Sequence, residues 1–300
     1  MTKREKNTLD KLRKKARGKS QECYNPDCKN KAIRSHIQQV EGSIRSISTI
    51  DGKIIQLEDL YLSHNSKPYG FKEKGIKQKG NVLTFWGFCN TCDSRIFKNI
   101  ESKHIDYASY YNQVLFSYRG FLSEFYKQEY NLKWYELIFK SNELSDETKK
   151  KYKNLYLVYL LNVKAGKFIK NLFESDLKKV TTNFDFIHFK LPLIEICTST
   201  SYSYPNEVVL NKAQFKKLIS KDSFLPLSRY YFINLIPTKG ELNVILGYNL
   251  DKSLKLHLDL NKILRLTKKE KIKLISDILI RHIETWFVSK SLYNIWKNRK

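Results

Sequence analysis

The chain has 300 residues and a mass of 35.6 kDa, which is enough to bury a sizeable core in one or two domains. Its 55 Lys and Arg residues outnumber its 30 Asp and Glu residues, giving a formal net charge of +25 at pH 7. So large a surplus repels itself in a compact protein and favours a polyanionic partner, with nucleic acid ahead of a membrane surface. A hydrophobic content of 41% excludes a disordered basic tail.

The compartment is predicted from the first residues and from the cysteines. The opening twenty residues are basic and carry no apolar segment typical of a signal peptide. The longest apolar stretch, residues 156–163, is much shorter than the roughly 20 residues that span a bilayer. An odd count of 5 cysteines without a secretory signal argues against a disulfide framework. These features predict a cytoplasmic protein with no membrane partner.

The first third of the chain divides into an arm and a small module. Residues 1–20 form a basic arm that is either a charged helix or a mobile segment. Its basic residues either contact phosphates or only make the chain more soluble. Residues 21–103 lose helical periodicity, and residues 31–37 and 81–88 have the composition of short strands. Loops that surround short strands in this way are typical of a module nucleated by a metal ion.

The remaining region, residues 104–300, mixes helices with strands. Apolar residues recur at helical spacing over residues 105–179, with a second helical segment starting near Ser145. Residues 184–249 alternate as strands, with a hairpin turn at residues 238–240. Thr267 and Glu270 form a capping box that begins a C-terminal helix over residues 267–297. The expected fold class is therefore α+β, with the small N-terminal module followed by a helical and antiparallel-sheet region.

Four cysteines form two close pairs, Cys23-x4-Cys28 and Cys89-x2-Cys92. Four thiolates are the usual tetrahedral ligand set of a structural Zn²⁺ site. A turn-borne pair followed by a pair at the start of a helix is typical of a treble-clef module, and the helix dipole favours the thiolate form. The alternative is that the four are free buried cysteines. The fifth, Cys197, is predicted to be a buried thiol in a strand.

The segments around these cysteines resemble the HNH (ββα-metal) nuclease motif. They are more similar still to a group of bacterial proteins, some found near phage-defence genes, whose pattern is C-x4-C, Ser-His-x-x-Gln, Thr-Phe-x-Gly-Phe-Cys-x-x-His-Asp and Phe-x-x-Ile-Glu. The matching segments here, besides Cys23 and Cys28, are Ser35-His36-Ile37-Gln38-Gln39, Thr84-Phe85-Trp86-Gly87-Phe88-Cys89, Cys92-Asp93 and Phe97-Lys98-Asn99-Ile100-Glu101. The resemblance covers about the first third of the chain.

The resemblance implies roles for individual residues. Cys23, Cys28 and Cys89 would bind structural zinc, with Cys92 standing where the group often has histidine. His36 would be the general base that deprotonates a water molecule. Its alternative role is as a neighbour of the zinc ion, or as a ligand in place of one cysteine.

A second metal site is implied beside the general base. Asp93 would be a ligand of a catalytic Mg²⁺ or Mn²⁺. Glu101 would either supply a second carboxylate or orient a partner. Two positions depart from the HNH pattern. Ser35 replaces the usual acidic residue or histidine before the base, and the middle asparagine has only Asn81 and Thr84 in its neighbourhood.

Three functions are compatible with these features. The first is a metal-dependent HNH-like endonuclease that acts on nucleic acid, with DNA favoured, in bacterial anti-phage defence. The second is a non-catalytic nucleic-acid-binding protein whose zinc module is only a scaffold. The third is an interaction subunit whose basic surface docks on an acidic partner protein, for example of a defence system. No Gly-rich phosphate loop, Gly-x-Ser-x-Gly elbow or His-Glu-x-x-His motif supports another chemistry.

Overall fold

The computed structural model describes residues 1–17, 21–57, 70–76, 84–204 and 228–298. Its α-helices are α1 (Lys3–Ala16), α2 (Asn90–Ile96), α3 (Tyr110–Lys140), α4 (Asp146–Leu177), α5 (Leu260–Arg265), α6 (Lys268–His282) and α7 (Lys290–Lys297). Its strands are β1 (Arg34–His36), β2 (Lys53–Leu57), β3 (Phe71–Gly75), β4 (Thr84–Trp86), β5 (Phe184–Pro192), β6 (Ile196–Ser203), β7 (Tyr230–Thr238), β8 (Glu241–Asn249) and β9 (Phe287–Val288). A π-helical turn covers Val40–Ile44 and a 3₁₀ turn covers Lys98–Glu101.

Within the described residues the strands form two antiparallel sheets. The large sheet has seven strands in the order β3-β2-β9-β6-β7-β8-β5, and β1 pairs separately with β4. The hairpin between β7 and β8 turns at residues 238–240, where Gly240 has a φ of +85°. Glycine adopts this left-handed conformation without a Cβ clash. Helices together with antiparallel sheets confirm the α+β class.

Both faces of the large sheet are covered because side chains alternate along each strand. On β7, Phe232 and Ile236 belong to the core that contains α3 and α4 residues such as Phe121 and Phe173. The residues that alternate with them, Tyr231, Ile233 and Leu235, belong to a second core with Ile263 of α5 and Ile275 of α6. Strand β7 is therefore apolar on both faces.

The large sheet includes strands from both sides of the boundary predicted at residue 103. β2 and β3 lie in the predicted N-terminal module, yet β2 pairs with β9 near the end of the chain. β9 in turn pairs with β6, and Val288 stands opposite both Ile55 and Ile196. The N-terminal segment and the later region therefore share one sheet through the two residues of β9.

The C-terminal helix predicted over residues 267–297 is wrong as a single element. The capping box at Thr267 does begin α6, but α6 ends at His282 and α7 begins at Lys290. Between them Phe287 and Val288 are fully buried in the gap between β2 and β6. Their backbone groups pair with two strands, which a continuous helix would forbid, so tertiary pairing overrides the helical periodicity.

The basic arm at the N-terminus is helical over the residues of α1, and residues 18–20 of the arm lie outside the described residues. Leu9 and Ala16 of α1 pack in a third cluster with Trp134, Tyr135 and Ile138 of α3. The Lys residues of α1 and Arg4 are exposed, whereas the Arg13 guanidinium lies 5.1 Å from the centre of the Trp134 ring. Of the helices described, none has the length and apolar character needed to cross a bilayer.

Candidate metal centre and adjoining pocket

The four paired cysteines come together although 61 to 69 positions separate the two pairs in the chain. Their Sγ atoms all lie within 4.8 Å of one another, and the Cys28 and Cys89 Sγ atoms are 3.7 Å apart. A tetrahedral zinc ion with Zn–S bonds of about 2.3 Å holds its sulfur atoms about 3.8 Å apart. The sulfur positions therefore fit a metal ion such as zinc.

The first pair lies on a tight loop held by its own backbone. Cys23 N donates to the Asn30 carbonyl at 2.9 Å, and Cys28 N donates to the Asn25 carbonyl at 3.0 Å. The Asn25 side chain crosses to the second pair, where Nδ2 donates to the Cys92 Sγ at 3.2 Å. An amide donor to sulfur stabilises the thiolate form that a metal ion requires.

The second pair lies at the start of α2. Cys89 is the N-cap residue, and its Sγ accepts from Cys92 N at 3.5 Å. This backbone N–H group is the main cause that lowers the pKa of Cys89 to about 7. Cys92 lies in the first turn of the helix, so both sulfur atoms face the positive end of the helix dipole. Cys89 therefore forms a thiolate at a lower pH than an ordinary cysteine.

Burial opposes thiolates elsewhere in the cluster. It raises the pKa of Cys23 to about 12 and also raises the pKa of Cys92. Several buried thiolates need a compensating cation, and a divalent metal ion deprotonates the thiols that coordinate it. Soft sulfur ligands select zinc and related ions over Mg²⁺ or Ca²⁺. The cluster is thus suited to a metal ion and poorly suited to bare thiolates.

The strands β1 and β4 connect the two cysteine pairs. Arg34 stands opposite Trp86, and His36 stands opposite Thr84. Ser35, between them, is buried, and its Oγ accepts from Phe88 N at 3.3 Å. Ser35 therefore supports the backbone next to Cys89, and His36 extends from the other face of the ribbon.

His36 lines a pocket of about 290 Å³ beside the cysteine cluster. The residues that line it come from the segment after β1, from α2, from the 3₁₀ turn and from α3. They are His36, Gln38, Gln39, Val40, Glu41, Asp93, Glu101 and Arg119. The structure therefore brings both residues with a predicted catalytic role, His36 and Asp93, to one pocket, together with Glu101.

Arg119 of α3 also lines the pocket, and the sequence did not predict it. Its Nη2 lies 3.1 Å from Asp93 Oδ2, and its Nη1 lies 2.5 Å from Glu101 Oε1. The guanidinium also lies 4.1 Å from the centre of the Phe97 ring. Arg119 is only 1% exposed. One charged residue within the apolar stretch of α3 is the signal that points to it.

Burial, more than the neighbouring charges, favours the neutral form of His36. Burial lowers the pKa of His36, and the Arg119 guanidinium lowers it further, while Asp93 and Glu101 act in the opposite direction. Asp93 Oδ1 is buried and has no hydrogen-bond partner among the described residues. The pocket thus contains an imidazole, one guanidinium and the carboxylates of Glu41, Asp93 and Glu101.

Two glutamines fix the segment that follows His36. Gln38 is fully buried, and its Nε2 donates to the Thr198 carbonyl at 2.7 Å and to the Leu235 carbonyl at 3.0 Å. Cys197, a buried thiol in β6 as predicted, donates to Gln38 Oε1 at 2.8 Å. Gln39 Nε2 donates to the Glu101 carbonyl at 3.0 Å. The large sheet and the 3₁₀ turn therefore both hold the pocket wall.

The predicted site residues fall into two neighbouring groups, the four cysteines and the His36 pocket. Asn81, considered for the motif asparagine, lies outside the described residues. Among the residues that the structure describes, the cysteine cluster is the only group of three or more His, Cys, Asp or Glu side chains close enough to hold a metal ion. Neither a protein-family model, nor a curated protein, nor a solved structure matches this chain.

Proposed function

We propose that the protein is a metal-dependent HNH-like endonuclease whose zinc-bound treble-clef module carries the catalytic residues. The observation that carries this proposal is that His36 and Asp93 line one pocket next to the four-cysteine cluster. The cysteine loop, the β1–β4 ribbon and α2 follow the order that the ββα-metal resemblance implies. Zinc would be structural, bound by Cys23, Cys28, Cys89 and Cys92.

In the proposed reaction His36 is the general base. Because its pKa is lowered, the imidazole is neutral at pH 7 and can accept a proton from a water molecule. The water oxygen attacks the phosphorus atom of a phosphodiester, the bond to the leaving oxygen breaks, and that oxygen takes a proton from solvent. Arg119 pairs with Asp93 Oδ2, whereas Asp93 Oδ1 has no hydrogen-bond partner among the described residues.

A catalytic Mg²⁺ or Mn²⁺ would be held by Asp93. Asp93 Oδ1 is buried, charged and without a partner among the described residues, and hard oxygen ligands suit both ions. The chemistry that such an ion supplies is stabilisation of the negative charge that develops on the phosphate and the leaving oxygen. Glu101 would contribute charge to the same pocket, where one of its oxygens is paired with Arg119.

Nucleic acid is the proposed substrate because a net charge of +25 attracts a long polyanion such as DNA or RNA. The exposed basic residues of α1 would add phosphate contacts away from the pocket. They are Lys3, Arg4, Lys6, Lys11, Lys14 and Lys15. The proposed setting is bacterial defence against foreign DNA, as the resemblance of the first third implies, with a second protein of such a system as a possible partner.

One observation favours the second function, a non-catalytic nucleic-acid-binding protein. Arg119 already pairs with Asp93 and Glu101, so its guanidinium offsets one of the two negative charges that would attract a divalent cation. A resident guanidinium lowers the affinity of the pocket for Mg²⁺ through like-charge repulsion. The zinc module would then only shape a basic surface.

A cleavage assay separates the two functions. Zinc-loaded protein is incubated with supercoiled plasmid and with structured RNA in Mg²⁺ or Mn²⁺, beside the variants His36→Ala and Asp93→Ala. The matched control is His104→Ala, because His104 is exposed and does not line the pocket. The endonuclease predicts cleavage that His36→Ala and Asp93→Ala abolish and His104→Ala retains, with equal zinc content in all four proteins. Salt-dependent binding without cleavage by the unmodified protein contradicts it and supports the alternative.

A further inference from the structure

A second cavity, of about 420 Å³, lies between the end of α1, the loop that carries Cys23, and the helices α3 and α4. Its walls include Tyr24 of the loop, Tyr126 and Glu129 of α3, and Lys170 of α4. It shares no lining residue with the His36 pocket. A volume between about 300 and 1,000 Å³ is typical of small-molecule sites, so this cavity has room for a ligand of its own.

The Glu129 carboxylate is the acidic group on the α3 wall of this cavity. Its Oε2 accepts from the Tyr24 hydroxyl at 2.5 Å. Among the described residues no other group donates to this carboxylate, and its Oε1 keeps some contact with solvent. Burial raises the pKa of Glu129, because a half-buried carboxylate has lost part of its hydration. A ligand with N–H donors would replace the lost hydrogen bonds.

Aromatic rings and cations lie near that carboxylate. Tyr126 and Tyr130 line the cavity one helical turn apart, and their ring centres are 5.7 Å from each other. The Arg17 guanidinium lies 5.0 Å from the centre of the Tyr130 ring, and the exposed Lys133 lines the cavity. Tyrosine rings stack on nucleobases, whereas Arg and Lys side chains contact phosphates. These side chains together are suited to one nucleotide of a strand.

We propose that this cavity binds an unpaired guanine base of a single-stranded nucleic acid. Guanine presents two adjacent donors, N1–H and N2–H, and a carboxylate accepts from both. Each carboxylate oxygen has two lone pairs, so Oε2 of Glu129 can accept from Tyr24 and from guanine together. The donors lie on the Watson–Crick edge of the base, which is free only when the base is unpaired. This inference rests on the proposed nucleic-acid substrate and assigns the base that binds beside the cysteine loop.

The other bases match a carboxylate less well. Cytosine and adenine each offer one amino group on that edge, beside a ring nitrogen that only accepts. The N3–H group of thymine lies between two carbonyl oxygens, which a carboxylate repels. The proposed preference is therefore guanine first and thymine last.

The test compares the labelled pentanucleotides TTGTT, TTITT and TTTTT by fluorescence anisotropy at low salt. The base of the I nucleotide is hypoxanthine, which differs from guanine only in lacking the N2 amino group, so the protein stays unmodified. TTITT should bind about fivefold more weakly than TTGTT, and TTTTT more weakly still. Unlabelled dGMP, added as a competitor, should bind more weakly than TTGTT because it lacks the neighbouring phosphates.

A variant of the carboxylate and a matched control locate the preference. Glu129→Gln keeps an acceptor for the Tyr24 hydroxyl and replaces one acceptor oxygen by an N–H₂ donor. It should bind TTGTT at least fivefold more weakly, and it should bind TTGTT and TTITT equally. Glu136→Gln makes the same charge change on α3 at a residue that does not line the cavity, so it should keep the preference.

The outcomes separate this inference from the proposed function. Equal affinity of the unmodified protein for TTGTT and TTITT, or a preference that survives in Glu129→Gln, overturns the guanine site alone. Failure of every pentanucleotide to bind overturns the nucleic-acid substrate as well. If dGMP binds as tightly as TTGTT, the cavity is a site for a free nucleotide, and the proposal of a strand is overturned.

Discussion

Arg119 Nη2 lies 3.1 Å from Asp93 Oδ2, and this ion pair joins the middle of α3 to the first turn of α2. The Arg119 side chain is 2% exposed, whereas the Asp93 side chain is 21% exposed. The guanidinium also pairs with Glu101 in the 3₁₀ turn. The pocket beside the cysteine cluster is therefore complete only when α3 is docked against it.

Replacing Arg119 should destabilise the fold strongly. Arg119→Met leaves Asp93 and Glu101 without their cation, and it removes the planar group that lies over Phe97. Breaking a buried ion pair typically costs 3–5 kcal/mol, and we expect about 3 kcal/mol here because both carboxylates have some contact with solvent. The free energy of unfolding from urea denaturation measures the effect.

The control for Arg119 is Arg45, which pairs with Glu41 at 2.7 Å on the protein surface. Both of these side chains are exposed, so Arg45→Met should change the free energy of unfolding by less than about 0.5 kcal/mol. Similar losses in the two variants would contradict a structural role for the buried pair.

The cysteine cluster could be predicted because the pattern within each cysteine pair is local. The spacing within each cysteine pair, and the turn or helix start that carries it, are written in a few adjacent residues. Arg119 was not predictable in the same way. It lies 18 residues from Glu101 and 26 from Asp93, and its partners depend on how α3 docks. An arginine in an aromatic helix indicates a buried charge, but not which carboxylates meet it.

The errors about the large sheet have the same origin. The periodicity of residues 267–297 predicts a helix, but it gives no sign that Phe287 and Val288 pair with β2 and β6. The assignment of β2 and β3 to a separate N-terminal module likewise overlooked pairing with residues more than 200 positions away. Local pattern predicts which elements exist, whereas these non-local hydrogen bonds decide which sheet they enter.

Loss of one cysteine of the cluster should release the metal. Cys92→Ala removes one of four sulfur atoms, so we expect the zinc content after dialysis to fall from about one per chain to near zero. The free energy of unfolding should fall by about 3 kcal/mol or more, because metal binding contributes to folding. Zinc is measured by elemental analysis, and stability by urea denaturation.

The matched control for Cys92 is Cys197, a fully buried thiol that donates to Gln38 and does not belong to the cluster. Cys197→Ala should cost about 1 kcal/mol for the lost hydrogen bond and packing, and it should keep its zinc. Equal metal content in the two variants would exclude the four-cysteine site.

Gly120 should not tolerate a side chain. A Cβ atom placed there would lie 2.8 Å from the Ser199 carbonyl carbon and 2.8 Å from Thr200 N, both backbone atoms of β6. Gly→Ala in an unhindered helix stabilises by about 1 kcal/mol. Here the added methyl group would clash with the backbone of β6, so Gly120→Ala should lower the free energy of unfolding by about 2 kcal/mol. A higher melting temperature for this variant would show that α3 does not lie so close to the sheet.

Glu5 should make stability depend on pH in the acid range. Its carboxylate accepts from Thr2 N at 2.9 Å, from Ser145 Oγ at 2.7 Å and from Thr148 Oγ1 at 2.9 Å. These hydrogen bonds, that from Thr2 N foremost, lower the pKa of Glu5 from 4.5 to about 2. A lowered pKa means that this stabilisation is complete above about pH 4.5 and is lost as the pH falls toward 2.

The variant Glu5→Gln tests that dependence. It should be less stable than the unmodified protein at pH 7, and the difference should shrink between pH 4.5 and about 2. Asp10→Asn is the control, because Asp10 is exposed on the same helix, and it should leave the free energy of unfolding nearly unchanged. A constant difference between Glu5→Gln and the unmodified protein across this range would rule out the carboxylate as the cause.

The basic residues of α1 should determine how nucleic-acid binding responds to salt. Lys14 and Lys15 are exposed in the last turn of α1, while Leu9 and Ala16 hold the helix against α3. If both lysines contact phosphates, Lys14→Glu/Lys15→Glu should weaken binding and reduce the slope of log K against log salt by about 0.9 per lost contact. The control is Lys239→Glu/Lys252→Glu, which makes the same charge change at exposed sites distant in sequence. Fluorescence anisotropy with a labelled duplex at several salt concentrations measures both slopes. Equal slopes for the two double variants would mean that the protein's net charge, and not α1, governs binding.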